Sequence, residues 1–158
     1  MVRVALYKAP GRFFDKLIKL WTCPWSDKFN GSWRDAYSHC ELVFSDGLWF
    51  SADARTGKVR FAKIIEDPLK WDFTEVRLDT FAENKVRRWC ERQEGKGYDY
   101  LGVFLAAGLY LGIEDPDCWF CSEICTAALQ QVGKLKGVKG YTVSPVDLGR
   151  LLKGNIEC

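Results

Sequence analysis

Residues 39 to 62 carry the pattern that most constrains this chain, because three short runs of alternating polar and apolar residues follow one another with two glycine turns between them. His39 to Phe44, Leu48 to Asp53 and Lys58 to Ala62 are the runs, with Ser45-Asp46-Gly47 and Arg55-Thr56-Gly57 as the turns. A period of two puts alternate side chains on opposite faces of a strand, and tight glycine turns return the chain on itself. An antiparallel meander is the expected result. If the first turn pairs Phe44 with Leu48, the ladder sets Glu41 opposite Ser51 and His39 opposite Asp53, all on one face.

The flanking sequence supplies further elements. Val2 to Tyr7 is β-prone and is broken by Ala9-Pro10-Gly11; Trp71 to Leu78 fits another strand. Phe13, Phe14, Leu17, Ile18 and Trp21 recur at helical spacing among basic residues, as on a core-packing helix or one lying on a membrane surface. Cys23 to Tyr37 reads as a loop rich in tryptophan, whose Trp25, Phe29 and Trp33 suit hydrophobic cover or the wall of a substrate groove. Thr80 to Gln93 predicts a helix with Phe81, Val86, Trp89 and Cys90 on its buried side, and Tyr98 to Ile113 a hydrophobic one that ends at Glu114-Asp115-Pro116-Asp117. Cys121 to Val132 follows as a helix, and Ser144-Pro145-Val146-Asp147 opens a last one through Leu152 with a cap, a first-position proline and an acid in the first turn. Strands grouped before helices indicate an α+β fold, an antiparallel sheet of about five strands packed against helices, in one domain over residues 1–158.

Composition removes several classes. A formal net charge of +2 gives no electrostatic reason for a nucleic-acid partner. The longest apolar run, Leu101 to Ile113, is shorter than the roughly 20 residues that cross a bilayer. The first twenty residues lack a secretory pattern, which predicts a cytoplasmic protein whose seven cysteines stay thiols.

The chemistry follows from two segments far apart in sequence. His39, the sole histidine of 158 residues, opens the meander, and Cys121 opens a helix behind Trp119-Phe120. A helix N-terminus favours a thiolate, and a neighbouring imidazolium favours it further. Cys121 is thus the candidate nucleophile and His39 the candidate base, with Ser51, Asp53 and Glu41 available to orient the imidazole. Glu123 suits capping of its own helix. The spacing Cys118-x-x-Cys121-x-x-x-Cys125 also suits zinc or an iron–sulfur cluster, but no second paired motif supplies the remaining ligand, so no metal or cofactor is expected.

Ser38-His39-Cys40-Glu41-Leu42-Val43 at the head of a hairpin, Tyr98-Asp99-Tyr100-Leu101-Gly102, and Phe120-Cys121-Ser122-Glu123 at a helix start together resemble the circularly permuted branch of the NlpC-type, papain-like cysteine hydrolases. The likeness is to YiiX-like proteins and small proteins of tailed phages, and it spans roughly residues 2 to 152. The histidine strand precedes the cysteine helix here, which is the permuted order. The resemblance implies a Cys121 acyl-enzyme with His39 as base, acting on a peptidoglycan-type peptide or a lipid-linked acyl group in the bacterial host cytoplasm. It places the third member twelve residues after the histidine, at Ser51, where the family commonly carries a histidine or an acid; Ser51, Asp53 and Glu41 therefore stay open for that role. Two other activities fit the same scaffold: acyl transfer of the lecithin:retinol acyltransferase type, and non-catalytic binding of a host protein by a phage protein.

Overall fold

The computed structural model describes residues 1–8, 37–100 and 117–154. The sequence-predicted helix around residues 13–21, residues 23–36 of the tryptophan-rich loop and residues 101–113 of the hydrophobic helix lie outside the described residues.

Seven strands, β1 (Val2–Tyr7), β2 (His39–Val43), β3 (Trp49–Asp53), β4 (Lys58–Ala62), β5 (Trp71–Val76), β6 (Gly97–Tyr98) and β7 (Cys118–Trp119), form one open sheet in the order β5-β1-β2-β3-β4-β6-β7. All neighbours are antiparallel except β6 and β7, which run parallel. Three α-helices accompany the sheet among the described residues: α1 (Thr80–Glu91), α2 (Cys121–Gln130) and α3 (Pro145–Gly154). The architecture is α+β, as the order of elements predicts, with two more strands than the sequence pattern shows. The additional pair is too short for any periodicity to register. Tyr98, expected to begin a helix, instead closes β6, because its N–H donates to Gly57 O at 2.9 Å and ties the segment to the sheet.

Both meander turns need glycine. Gly47 and Gly57 have φ of +79° and +72°, in the left-handed region that side chains disfavour. The helix starts are capped as their sequences dictate. Asp79 accepts the Ala82 N–H at 2.7 Å, and Ser144 Oγ accepts the Asp147 N–H at 3.1 Å while Asp147 accepts the Ser144 hydroxyl at 2.6 Å.

Alternation divides the core between the two faces of the sheet. Val2, Val4 and Leu6 of β1, Cys40 and Leu42 of β2, and Phe50 and Ala52 of β3 join Val86 and Cys90 of α1, Ile124, Cys125 and Leu129 of α2, and Leu148 and Leu152 of α3. Ala5, Val43, Trp49 and Trp71 make a smaller cluster on the other face. The expectation for α1 needs one correction, since Phe81 is 74% exposed. Its place on the inward stripe with Val86 and Cys90 is taken by Glu83, because positions three and seven apart share a helix face whereas Phe81 sits five residues from Val86, about 140° round the axis. The Glu83 carboxylate accepts the Ser45 N–H and the chain's N-terminal amine, both at 2.8 Å.

Candidate active site

The strands β2 and β3 pair over Leu42↔Phe50 and Val43↔Trp49, and Phe44 N–H donates to Leu48 O at 2.9 Å. This is the register the turn predicts. The pairing stops short of Cys40, whose N–H and C=O point toward β3 by the alternation of the ladder. The Ser51 hydroxyl donates to Cys40 O at 2.7 Å, and the Cys40 backbone contributes to lowering the Cys121 thiol.

Helix α2 brings that sulfur to the strand. Gly97 N–H donates to Asp117 O at 3.0 Å and Asp99 N–H to Trp119 O at 2.9 Å, so the segment entering α2 is held on the sheet before the first turn closes with Ile124 N–H on Phe120 O at 3.1 Å. In that turn the N–H groups of Cys121 and Ser122 have no carbonyl four residues back within the helix. Phe120 N–H reaches Glu123 Oε2 at 3.5 Å, the backward half of a capping interaction, which is the role expected of Glu123. One turn on, the Cys125 thiol lies 3.9 Å from Cys40 O, so Cys121, Cys125 and Cys40 meet at the contact of α2 with β2. Cys118 lies apart, at the β6–β7 edge, where a Cβ on Gly97 would come within 2.9 Å of its sulfur. Among the described residues no group of three histidine, cysteine or acidic side chains is placed to hold a metal ion.

The imidazole joins the thiol to a buried carboxylate. His39 Nε2 is 3.1 Å from Glu41 Oε1, and the ring stands beside Trp71 with centroids 6.3 Å apart. Glu41 is fully buried and receives both arms of the Arg60 guanidinium, Nη1 to Oε2 at 2.9 Å and Nη2 to Oε1 at 3.0 Å. Arg60 Nε also donates to Asp53 Oδ2 at 3.1 Å, and the other oxygen of Asp53 accepts from the Arg55 N–H at 3.0 Å and from Arg55 Nε at 3.1 Å. Charges of alternating sign therefore run from Cys121 through His39, Glu41, Arg60 and Asp53 to Arg55.

Each titration follows from those contacts. Burial pulls the His39 imidazole down, but attraction to and hydrogen bonding with Cys121, together with Glu41, outweigh it and push its pKa up to about 10. The Cys40 thiol, as hydrogen-bond donor, is the largest influence on Cys121; it acts against burial and with the His39 charge to hold Cys121 well below the usual thiol range. Burial pushes the Cys40 thiol well up, so it stays protonated as that donor. Glu41 is lowered despite complete burial, by hydrogen bonds from His39 and Arg60. The His39 and Cys121 shifts both favour thiolate and imidazolium over the neutral pair.

Of the five residues singled out in sequence, the fold brings Cys121, His39 and Glu41 into one line. Asp53 stands one link further away, behind Arg60. Ser51, the position implied by the family likeness, is fully buried and bonded to the backbone, with its hydroxyl also 3.3 Å from Ala52 O. The imidazole's carboxylate comes from its own strand two residues on, because residues i and i+2 share a face. Sequence reasoning overlooked three participants. Arg60 was visible as a charge in the middle of an alternating strand; Cys40 as the neighbour of the histidine; and Tyr98 in the Tyr-Asp-Tyr motif, whose buried phenol is raised first by burial and then by the nearby Cys121 charge. Two further buried polar atoms, Ser38 Oγ beside His39 and Trp119 Nε1 two residues before Cys121, have no hydrogen-bond partner among the described residues.

Comparisons of the chain with protein-family models, with curated proteins and with solved structures found no match in any of the three.

Proposed function

We propose that this chain is a cysteine hydrolase of the permuted papain-like type, cleaving an amide or ester through an acyl-enzyme on Cys121. The observation that carries the reading is the continuous line from the Cys121 sulfur at a helix N-terminus to the His39 imidazole and on to the buried Glu41 carboxylate. With Nε2 committed to Glu41, Nδ1 is the ring nitrogen left to exchange a proton with Cys121. The thiolate attacks the substrate carbonyl carbon, and the N–H groups of Cys121 and Ser122 in the first turn of α2 take the charge that develops on oxygen. The imidazolium then protonates the leaving amine or alcohol as its bond to carbon breaks. A water, deprotonated by the now neutral imidazole, attacks the thioester and releases the acid, which restores thiolate and imidazolium. The buried Ser38 hydroxyl and Trp119 indole N–H suit polar contacts to a bound peptide or acyl group.

Iodoacetamide labelling at pH 6 tests the reading. One of the seven cysteines reacts fast, and the fast label disappears in Cys121→Ala. Hydrolysis of a panel of peptide amides and acyl esters, with a thioester adduct trapped on the Cys121 peptide, falls by at least about 10³-fold in the same variant. Uniformly slow labelling of every thiol would overturn the proposal.

A further inference from the structure

We propose that Arg60 is a positioning residue for this site: by holding Glu41 as a buried anion, it decides which way the hydrogen bond between His39 and Glu41 runs, and so keeps the imidazole charged beside Cys121. The inference rests on the cysteine hydrolase reading for its purpose, but its geometry stands independently.

Ser51 pairs with Arg60 across β3 and β4, and Glu41 stands level with Ser51 by the count of the β2–β3 register. Adjacent strands are about 4.8 Å apart, so the backbones of Arg60 and Glu41 are roughly 10 Å apart with one strand between them. The small Ser51, its hydroxyl turned back to Cys40 O, leaves room for the long Arg60 side chain to cross β3 and close on both Glu41 oxygens. Glu41 is shut off from water, with 0% of its side chain exposed against 13% for Arg60. A carboxyl in such a place takes up a proton unless a fixed cation and hydrogen bonds hold its charge. A protonated Glu41 would donate to Nε2 and stabilise the neutral ring, whereas a charged Glu41 accepts from Nε2–H and stabilises the imidazolium. Asp53 completes the device, because it balances the second half of the guanidinium charge. Other groups around the ring and its sulfur partner are Tyr7 opposite His39 on β1, Trp71 on β5, Tyr98 on β6 and Cys40; the Lys8, Tyr37 and Asp72 contacts lie at the same end of the sheet. None of these touches Glu41 as Arg60 does.

His39 is the only histidine, so its ring resonances report one titration without assignment. In the full chain the wild-type ring is expected to titrate near pH 10. Arg60→Met should lower that midpoint by at least about one unit, a tenfold change in the proton equilibrium. Arg60→Lys, which keeps the charge but not the fork, should fall between the two and serves as the readable variant if Arg60→Met does not fold. Glu41→Gln should lower the midpoint as well, and Arg60→Met added to Glu41→Gln should lower it no further. A midpoint unchanged or raised in folded Arg60→Met and Arg60→Lys would overturn the inference, since Glu41 would then hold its charge unaided. The titration needs no substrate, so the expected shifts in a protein that cleaves nothing would overturn the hydrolase reading and leave the role of Arg60 standing.

Discussion

The two ends of the β2–β3 hairpin differ more than their common sequence pattern suggests. At the turn end Val43, Phe44, Trp49 and Phe50 are buried and the backbone ladder is continuous, with the Phe50 ring tilted against Phe61 at 4.9 Å. At the open end Glu41, Ser51 and Asp53 are buried too and His39 is half-buried, but all four are polar and the ladder gives way to side-chain and sulfur partners. Burial by itself thus does not separate a structural end from a chemical one. What separates them is the use of the backbone: a strand that satisfies its own N–H and C=O groups supports the fold, whereas one that releases them at Cys40 has a donor free to meet a thiolate.

If that division holds, Phe50→Ala should have the largest effect on stability, a loss of about 3–5 kcal/mol by urea melting, with the His39 titration unmoved. A shifted titration would show that the two ends are one unit. Glu41→Gln should cost less, about 1.5–3 kcal/mol for hydrogen bonds to charged groups, and should move the titration down. Linkage to pH separates the ends further. In unfolded chain His39 and Cys121 titrate near their ordinary 6.5 and 9.0. Between those values the folded pair is imidazolium and thiolate while the unfolded pair is imidazole and thiol, so both states bind the same number of protons. Below 6.5 the raised His39 contribution is fully present and the lowered Cys121 contribution fades as pH falls; above 9 the Cys121 contribution is complete and that of His39 is lost as pH rises through about 10. The stability difference between wild type and a Cys121→Ala/His39→Gln double variant should therefore stay level from about pH 6.5 to 9 and change on either side. A steady slope across that window would break the ion-pair assignment. Ser51→Ala should have the smallest effect, about 1 kcal/mol for the hydrogen bond to Cys40 O and at most about a threefold change in hydrolysis. A loss as large as that of Cys121→Ala would return Ser51 to the role its family offset implies.

Much of this was legible before any coordinates. The glycine turns at 47 and 57 and the alternation around them dictated the meander and its register, and the cap at Ser144 marked a helix start. That Cys121 and His39 would be paired was legible because each residue type stood on an element suited to it. The strand pair β6 and β7 was not, since two residues carry no period, and neither was the exposure of Phe81, because an apolar residue near a helix start reads as inward until the stripe through Glu83, Val86 and Cys90 is known.

Local chain order alone determined where strands turn, which faces are apolar and that a lone imidazole and a helix-opening thiol were available. Which carboxylate orients that imidazole was decided only by the folded molecule. Glu41, Ser51 and Asp53 share a face in one dimension of reasoning; the choice among them depends on where β2 and β3 part and on a guanidinium reaching across from β4. Charge states of buried groups are set by neighbours on other strands and helices, and those neighbours exist only once the sheet has closed.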